Sequence, residues 1–177
     1  MASRFFAVGA LCPHARSGIG ALATQALVNP LYALHGLAAL ARGEAPAAIV
    51  QALTADDAGR DHRQLHLIDA SGRVAAHTGA ACIDWCGHLA GQGWSVAGNM
   101  LAGPHVLEHT ARAYSANAGL PFAERLLAAM QAGEEAGGDK RGKQGAALLI
   151  HTTEDYAWLD LRVDDHPDPM PELARLL

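Results

Sequence analysis

Two cysteines and two histidines lie close together in residues 77–104, a stretch rich in groups that bind metals or attack carbonyl carbons. Cys82, Cys86 and His88 follow one another at short spacing, and His77 precedes them. Two thiolates and two imidazoles suit a tetrahedral zinc ion. The order is unusual, because one histidine comes before the cysteines. The alternative interpretation is two partly buried thiols near the start of a strand.

The same residues suggest a nucleophile. A cysteine attacks as its thiolate once a neighbouring imidazole has taken the proton, so His77 or His88 could activate Cys82 or Cys86. Spacing alone does not bring these side chains together. Zinc binding, nucleophilic chemistry and simple packing therefore remain open for this group.

A second histidine pair, His105 and His109, frames the pattern H-x-x-E-H. Pro104 places it at the start of a helix, where positions i and i+4 share a face, and such a pair can bind zinc. A catalytic zinc also needs a third ligand, which the sequence does not identify. Surface histidines in a first helical turn are the alternative.

Residues 137–144, GGDKRGKQ, approach the phosphate-binding pattern G-x-x-x-x-G-K-[ST]. Gln144 stands where a hydroxyl would hold magnesium, and the predicted order is helix, loop, strand, the reverse of what a phosphate loop requires. We interpret the segment as a glycine-rich connection, with Lys140, Arg141 and Lys143 in solvent.

Composition limits the class of protein. The chain has 177 residues, 50% of them hydrophobic and 18% charged, so it can bury one sizeable core. A net charge of −5 argues against general attraction to nucleic acid or membrane surfaces. The apolar run at residues 5–12 lacks the features of a signal peptide. Three cysteines cannot all pair within one chain, which favours reduced thiols in the cytoplasm.

The elements that must position these groups follow from turn and breaker residues. Runs at 63–68 and 73–78 predict one hairpin, and runs at 146–151 and 156–163 predict another. Pro30, Pro46, Pro104 and Pro121 each open a helical segment. Consecutive helix pairs and hairpins predict a single α+β domain over residues 1–177 with antiparallel sheets.

Seven ordered sequence blocks resemble those of the bacterial domain-of-unknown-function family ten-twenty-eight, a relative of the Ntn hydrolases. They cover nearly the whole chain: FAVG at 6–9, GALATQA at 20–26 with NP at 29–30, R-x-x-RQ at 60–64, HTG to GH at 77–88, GNMLAG at 98–103, GGD-x-RG-x-Q at 137–144 and RVDDHP at 162–167.

The resemblance implies a four-layer αββα sandwich and, by analogy of fold, cleavage of a small amide (C–N) bond. Family members begin with a further hairpin, so the chain is expected to be shortened at its N-terminus. In Ntn hydrolases the first residue attacks while its own α-amine takes the proton. Removal of Met1 would expose Ala2, which has no nucleophile, and Ser3 follows one residue too late. The resemblance thus predicts that the chain in this form lacks activity by that mechanism.

Polar residues of the shared blocks are the candidate site. We expect His77 and His88 to be catalytic, as bases, and Arg63 or Arg162 to hold a carboxylate or amide. The other expected ligand-binding residues are Gln64, Asn99 and Asp139. Turn chemistry and packing are the alternative for each.

The leading hypothesis is therefore a hydrolase of a small-molecule amide. The alternatives are a non-catalytic ligand-binding or assembly protein on the same fold, and a zinc-binding protein using Cys82, Cys86 and His88. No cofactor is expected. Expected partners are a small-molecule ligand and a second copy of the chain, paired at the sheet edge that the absent hairpin would leave.

Overall fold

A computed structural model describes residues 1–177 as a mixed α+β protein with nine strands in three antiparallel sheets. The largest sheet has four strands in sequence order, and its third and fourth strands are the predicted first hairpin. These strands are β2 (Pro13–Arg16), β3 (Gly20–Ala26), β4 (Arg63–Asp69) and β5 (Val74–Thr78).

Two smaller sheets complete the β structure. The predicted second hairpin is confirmed, although its turn is longer than expected, and a two-residue strand extends it to the order β1-β8-β9. Its strands are β1 (Ala2–Ser3), β8 (Gly145–Ile150) and β9 (Leu159–Val163). The last sheet is a two-stranded ribbon of β6 (Trp85–Gly91) and β7 (Trp94–Leu101).

The four helices that follow the proline signals are confirmed. They are α2 (Leu31–Ala41), α3 (Pro46–Ala55), α4 (Pro104–Ala116) and α5 (Phe122–Glu135). Two further helices, α1 (Val8–Leu11) and α6 (Pro169–Leu176), were not predicted, although α6 begins with a proline as the other four segments do. No helix combines the length and the apolar character that crossing a bilayer requires.

The two faces of the four-stranded sheet differ in chemistry. Leu22, Leu65 and Leu67 point to one face and pack with α2 and α3 in a buried apolar cluster. Side chains alternate along a strand, so Gln64 and His66 point to the other face. There β7 packs on β4, and α4 packs on the ribbon. The arrangement places polar side chains of the sheet between β layers.

The stretch at 77–104 is largely β structure: it ends β5 and then forms the whole ribbon. Glycines interrupt its apolar pattern, which explains why alternation did not reveal the ribbon. β6 also carries an irregularity between Trp85 and Gly87.

Candidate functional site

Gln64 is the centre of a polar network that links three sheet strands to the ribbon. Its side chain is fully buried at the start of β4. The Oε1 atom accepts hydrogen bonds from Nε2 of Gln25 at 2.7 Å and from Nδ2 of Asn99 at 3.2 Å. The Nε2 atom lies 2.9 Å from each of Thr78 Oγ1, Gly87 O and Gly98 O. Gln64 thereby uses all its hydrogen-bonding groups inside the protein.

Gln25 and Asn99 line a cavity of about 570 Å³, a volume typical of small-ligand sites. Each donates one amide N–H to Oε1 of Gln64. Neither Oε1 of Gln25 nor Oδ1 of Asn99 has a partner within the chain, and neither is a buried unpaired atom. Two carboxamides fixed by Gln64 therefore present free acceptors and donors to the cavity.

A second polar pair lines the same cavity. The Nδ1 atom of His66 lies 2.7 Å from Oγ of Ser95, where β7 crosses β4. Burial lowers the pKa of His66 to about 4, with a smaller contribution from the nearby His88. The imidazole is neutral at pH 7, and in the tautomer that carries its proton on Nε2 the Nδ1 atom accepts a hydrogen bond from the Ser95 hydroxyl. A neutral histidine beside a serine hydroxyl is the arrangement that activates a nucleophile.

His66, Ser95 and Gln25 are not among the site residues predicted from the sequence. The strand alternation of β4 was the available signal for His66, because it places that residue on the same face as Gln64. No sequence signal pointed to Ser95, which is 29 residues away from His66.

Of the two histidines expected to be catalytic, His88 joins the network from outside the cavity. Its Nδ1 lies 2.9 Å from Oγ1 of Thr78, which in turn accepts from Gln64. Burial lowers the pKa of His88, and His77 adds to the effect. His77 itself contacts the backbone oxygen of Arg60 at 2.9 Å. Neither histidine lines the cavity.

Arg63 lies in a different cluster. Its Nε donates to Oδ2 of Asp57 at 3.1 Å, and the same oxygen accepts from the hydroxyl of Tyr32 at 2.8 Å and the amide of Asn29 at 3.1 Å. The Tyr32 hydrogen bond, together with those from Gly59, Asn29 and Arg63, holds the pKa of Asp57 well below its usual range. This cluster joins α2 to the connection between α3 and β4.

Asp139 lines the cavity with Arg141, its ion-pair partner at 2.6 Å. The carboxylate also accepts from the hydroxyl of Ser3 at 3.1 Å. Burial alone would raise the pKa of Asp139, but hydrogen bonds from Arg141 and Arg4 lower it. The backbone keeps this cluster near Asn99, because Lys140 N donates to Met100 O at 2.9 Å.

Arg162 is exposed on β9, where its side chain packs against Gly9 and its Nε lies 3.8 Å from Asp164 Oδ1. Neither Arg162 nor Arg63 lines the cavity. The arginine and lysine residues in its lining are Arg141 and Lys143. The structure thus brings together Gln64, Asn99 and Asp139 of the predicted ligand-binding residues, and holds both predicted arginines elsewhere.

Cys82 and Cys86 lie next to each other, and each thiol also contacts a backbone oxygen. Cys82 Sγ lies 3.4 Å from Arg63 O, and Cys86 Sγ lies 3.9 Å from Cys82 O. Burial raises the pKa of Cys82, which keeps it a thiol at neutral pH. No three His, Cys, Asp or Glu side chains come together in a group that could hold a metal ion. The His105 and His109 rings lie 6.5 Å apart with no third ligand.

Comparison with known proteins places these features in a family. A family model described as a family of unknown function, DUF1028, matches residues 1–173. The crystal structure of a DUF1028 protein from Silicibacter pomeroyi is 33% identical, with a TM-score of 0.91 over 99% of this chain and 78% of that one. A search of the curated proteins finds no match.

Proposed function

Because this chain belongs to DUF1028, a family of unknown function, the site must carry the functional argument, and we propose that the protein hydrolyses an amide bond of a small molecule bound in the cavity. The observation that carries the proposal is the pairing of two polar sites in one cavity. One site recognises an amide group, and the other supplies a nucleophile with its base.

The amide-recognition site consists of Gln25 and Asn99. A carboxamide or ureido group offers both an N–H donor and a C=O acceptor, which matches the free oxygen and free N–H of each side chain. Gln64 holds both in place, so little side-chain entropy is lost when a ligand binds. A group lacking either donor or acceptor would leave a polar atom of the site unpaired, which gives selectivity.

The nucleophile is the hydroxyl of Ser95, with His66 as its base. Ser95 Oγ attacks the carbonyl carbon while its proton passes to Nδ1 of His66. The C–N bond breaks as His66 returns that proton to the leaving nitrogen, and an ester forms on Ser95. Water, deprotonated by the same imidazole, then hydrolyses the ester and restores the serine. The proposed nucleophile is thus an internal serine of β7.

The spacing of the two sites indicates the size of the substrate. Ser95 and Asn99 are four residues apart on β7, about 13 Å at roughly 3.3 Å per strand residue. Side chains that lean toward each other shorten that span, so the substrate carries a recognised amide several bonds away from the scissile one. An N-acylated or N-carbamoylated amino-acid amide has these features.

The proposed fold is the four-layer αββα sandwich of Ntn hydrolases. Helices α2 and α3 pack outside the four-stranded sheet, while β8 and the ribbon lie on its inner side. Helix α4 covers the ribbon and α5 packs on β8. This order of layers supports the proposal.

A panel of N-acetyl and N-carbamoyl amino-acid amides tests the function by release of amine or ammonia. Wild-type protein should turn over at least one member, and Asn99→Leu should lower kcat/KM about tenfold through the loss of one hydrogen bond. Gln92→Leu, in the exposed turn of the ribbon, is the matched control and should behave as wild type. Absence of turnover across the panel would overturn the hydrolase proposal.

One observation favours a second function, non-catalytic binding of the same class of molecule. No carboxylate hydrogen-bonds to His66, so nothing of opposite charge would stabilise the imidazolium formed during attack. Calorimetric binding of panel members without turnover, abolished by Asn99→Leu, would establish this function instead of hydrolysis.

A further inference from the structure

The outer surface of the α2–α3 helix pair has almost no charge. Between Pro30 and Ala55 the only charged residues are Arg42 and Glu44, in the turn between the helices, and they pair with each other at 2.7 Å. Leu31 and Leu34 on α2 are 53% and 64% exposed, and Leu27 just before it is 60% exposed.

The other helical layer provides an internal comparison. Its helices α4 and α5 expose charged side chains on their outer faces, as protein surfaces normally do. These residues are Glu108, Arg112, Glu124 and Glu135. The absence of charge is therefore particular to the α2–α3 layer and is not a general property of this chain's helices.

We infer that the α2–α3 layer is the contact surface of a homodimer, and that its occupant is the same layer of a second copy. Charge is the first argument. The chain carries a net charge of −5, so two copies repel each other on contact over most of their surface. The α2–α3 layer is a surface over which two copies meet without like charges, since its one charged pair is neutral as a unit. Its exposed polar side chains His35 and Gln51 add no formal charge at pH 7.

The distribution of side-chain sizes along α2 fits a two-fold arrangement. Large residues, Leu31 and Leu34, project from its first half, and small residues, Ala38 and Ala41, occupy the exposed positions of its second half. A two-fold axis near the helix centre makes the two copies of α2 run antiparallel. The leucines of one copy then pack against the alanines of the other, which fills space without overlap.

The surface area that a stable dimer must bury determines how much of the α2–α3 layer takes part in the contact. Helices of 11 and 10 residues are about 16 and 15 Å long and each roughly 10 Å across. A stable dimer buries about 800 Å² of accessible surface per partner. The two helices together present a face of only roughly 300 Å² in projection, so both must take part together with flanking residues such as Leu27. Helix α3 offers alanines, among them Ala48 and Ala52, that allow close approach.

Light scattering after gel filtration tests the inference, and it is independent of the proposed hydrolysis. Wild-type protein at about 50 μM should elute at twice the 18.4 kDa chain mass. Leu34→Glu should raise the dimer dissociation constant at least a hundredfold, because each dimer would bury two carboxylates. Leu120→Glu replaces an exposed leucine between α4 and α5 and should leave the dimer intact.

Two results would overturn the inference: a monomeric wild type at that concentration, or a Leu34→Glu variant that remains dimeric. Because Leu34 is exposed, its replacement should leave the chain folded, and circular dichroism of both variants checks this. Ala38→Arg, at the small end of α2, is a second disrupting variant and should also give a folded monomer.

Discussion

The Nδ1 atom of His66 lies 2.7 Å from the hydroxyl oxygen of Ser95, in the wall of the cavity that Gln25 and Asn99 also line. This contact joins the four-stranded sheet to the ribbon. It places a neutral imidazole beside a hydroxyl within reach of bound molecules.

Replacing Ser95 with alanine should remove turnover of any amide that the protein hydrolyses. Loss of a nucleophile costs several orders of magnitude in kcat, so a fall of at least about a hundredfold is expected. The measurement is kcat by amine release. Ser115→Ala, on the exposed face of α4, is the matched control. Equal kcat in the two variants would contradict the assignment of Ser95.

On the acid side of its pH profile, kcat/KM should fall with an apparent pKa well below the ordinary histidine value of about 6.5. His66 must be unprotonated to accept the serine proton, and burial lowers its pKa to about 4. Activity should therefore persist at pH 5.5 and decline toward pH 4. An apparent pKa between about 6 and 7 would point to a different base.

The lowered pKa of His66 also makes the free energy of unfolding depend on pH. The folded pKa of His66 is depressed relative to the unfolded one, so the unfolded chain binds the proton more readily between about pH 4 and 6.5. The stability that neutral His66 contributes is fully present above about pH 6.5 and is lost as the pH falls toward about 4. The loss in the free energy of unfolding is at most about 3 kcal/mol. Urea unfolding at pH 7 and pH 5 should show a smaller difference for His66→Gln than for wild type. His62→Gln, at an exposed position, should retain the wild-type difference.

Gln64→Ala should destabilise the protein by about 1–3 kcal/mol, because the half-buried oxygen of Gly87 and the buried oxygen of Gly98 would lose their side-chain donor. Urea unfolding gives the free energy. Gln92→Ala should change it by less than about 0.5 kcal/mol, as surface replacements do. A Gln64 variant as stable as wild type would show that the network does not hold the ribbon on the sheet.

Asp57→Ala should lower stability by about 2–3 kcal/mol without altering kcat, because the carboxylate accepts from Tyr32, Asn29 and Arg63 away from the cavity. Asp56→Ala, exposed at the preceding position, is the matched control. A large loss of kcat in a folded Asp57→Ala variant would show that Arg63 and its partners belong to the functional site.

Much of the fold could be predicted from local chemistry. Pro46 and Pro104 open helices that the structure confirms, and the turn at Asp69 closes the first hairpin as expected. The ribbon could not be predicted in this way, since Gly87 and Gly98 interrupt its apolar pattern. Alternation is an informative signal only where one face of a strand is continuously apolar.

The residues of the candidate site could likewise be predicted only in part from the sequence. Gln64 and Asn99 belong to sequence blocks that the family resemblance singled out, and the structure brings them together. His66 and Ser95 meet only because β7 packs on β4, a long-range contact that neither spacing nor periodicity encodes. Arg63 was conspicuous in the sequence for its charge, but its partner Asp57 could be identified only in three dimensions.

Covalent labelling with phenylmethylsulfonyl fluoride tests the central claim without knowledge of the substrate, because sulfonyl fluorides react with activated serine hydroxyls. Intact-mass and peptide mass spectrometry should find a single adduct on Ser95, and labelling should be at least about tenfold slower in His66→Gln, where the base is absent. Labelling that leaves Ser95 unmodified, or that proceeds equally fast without His66, would contradict the account.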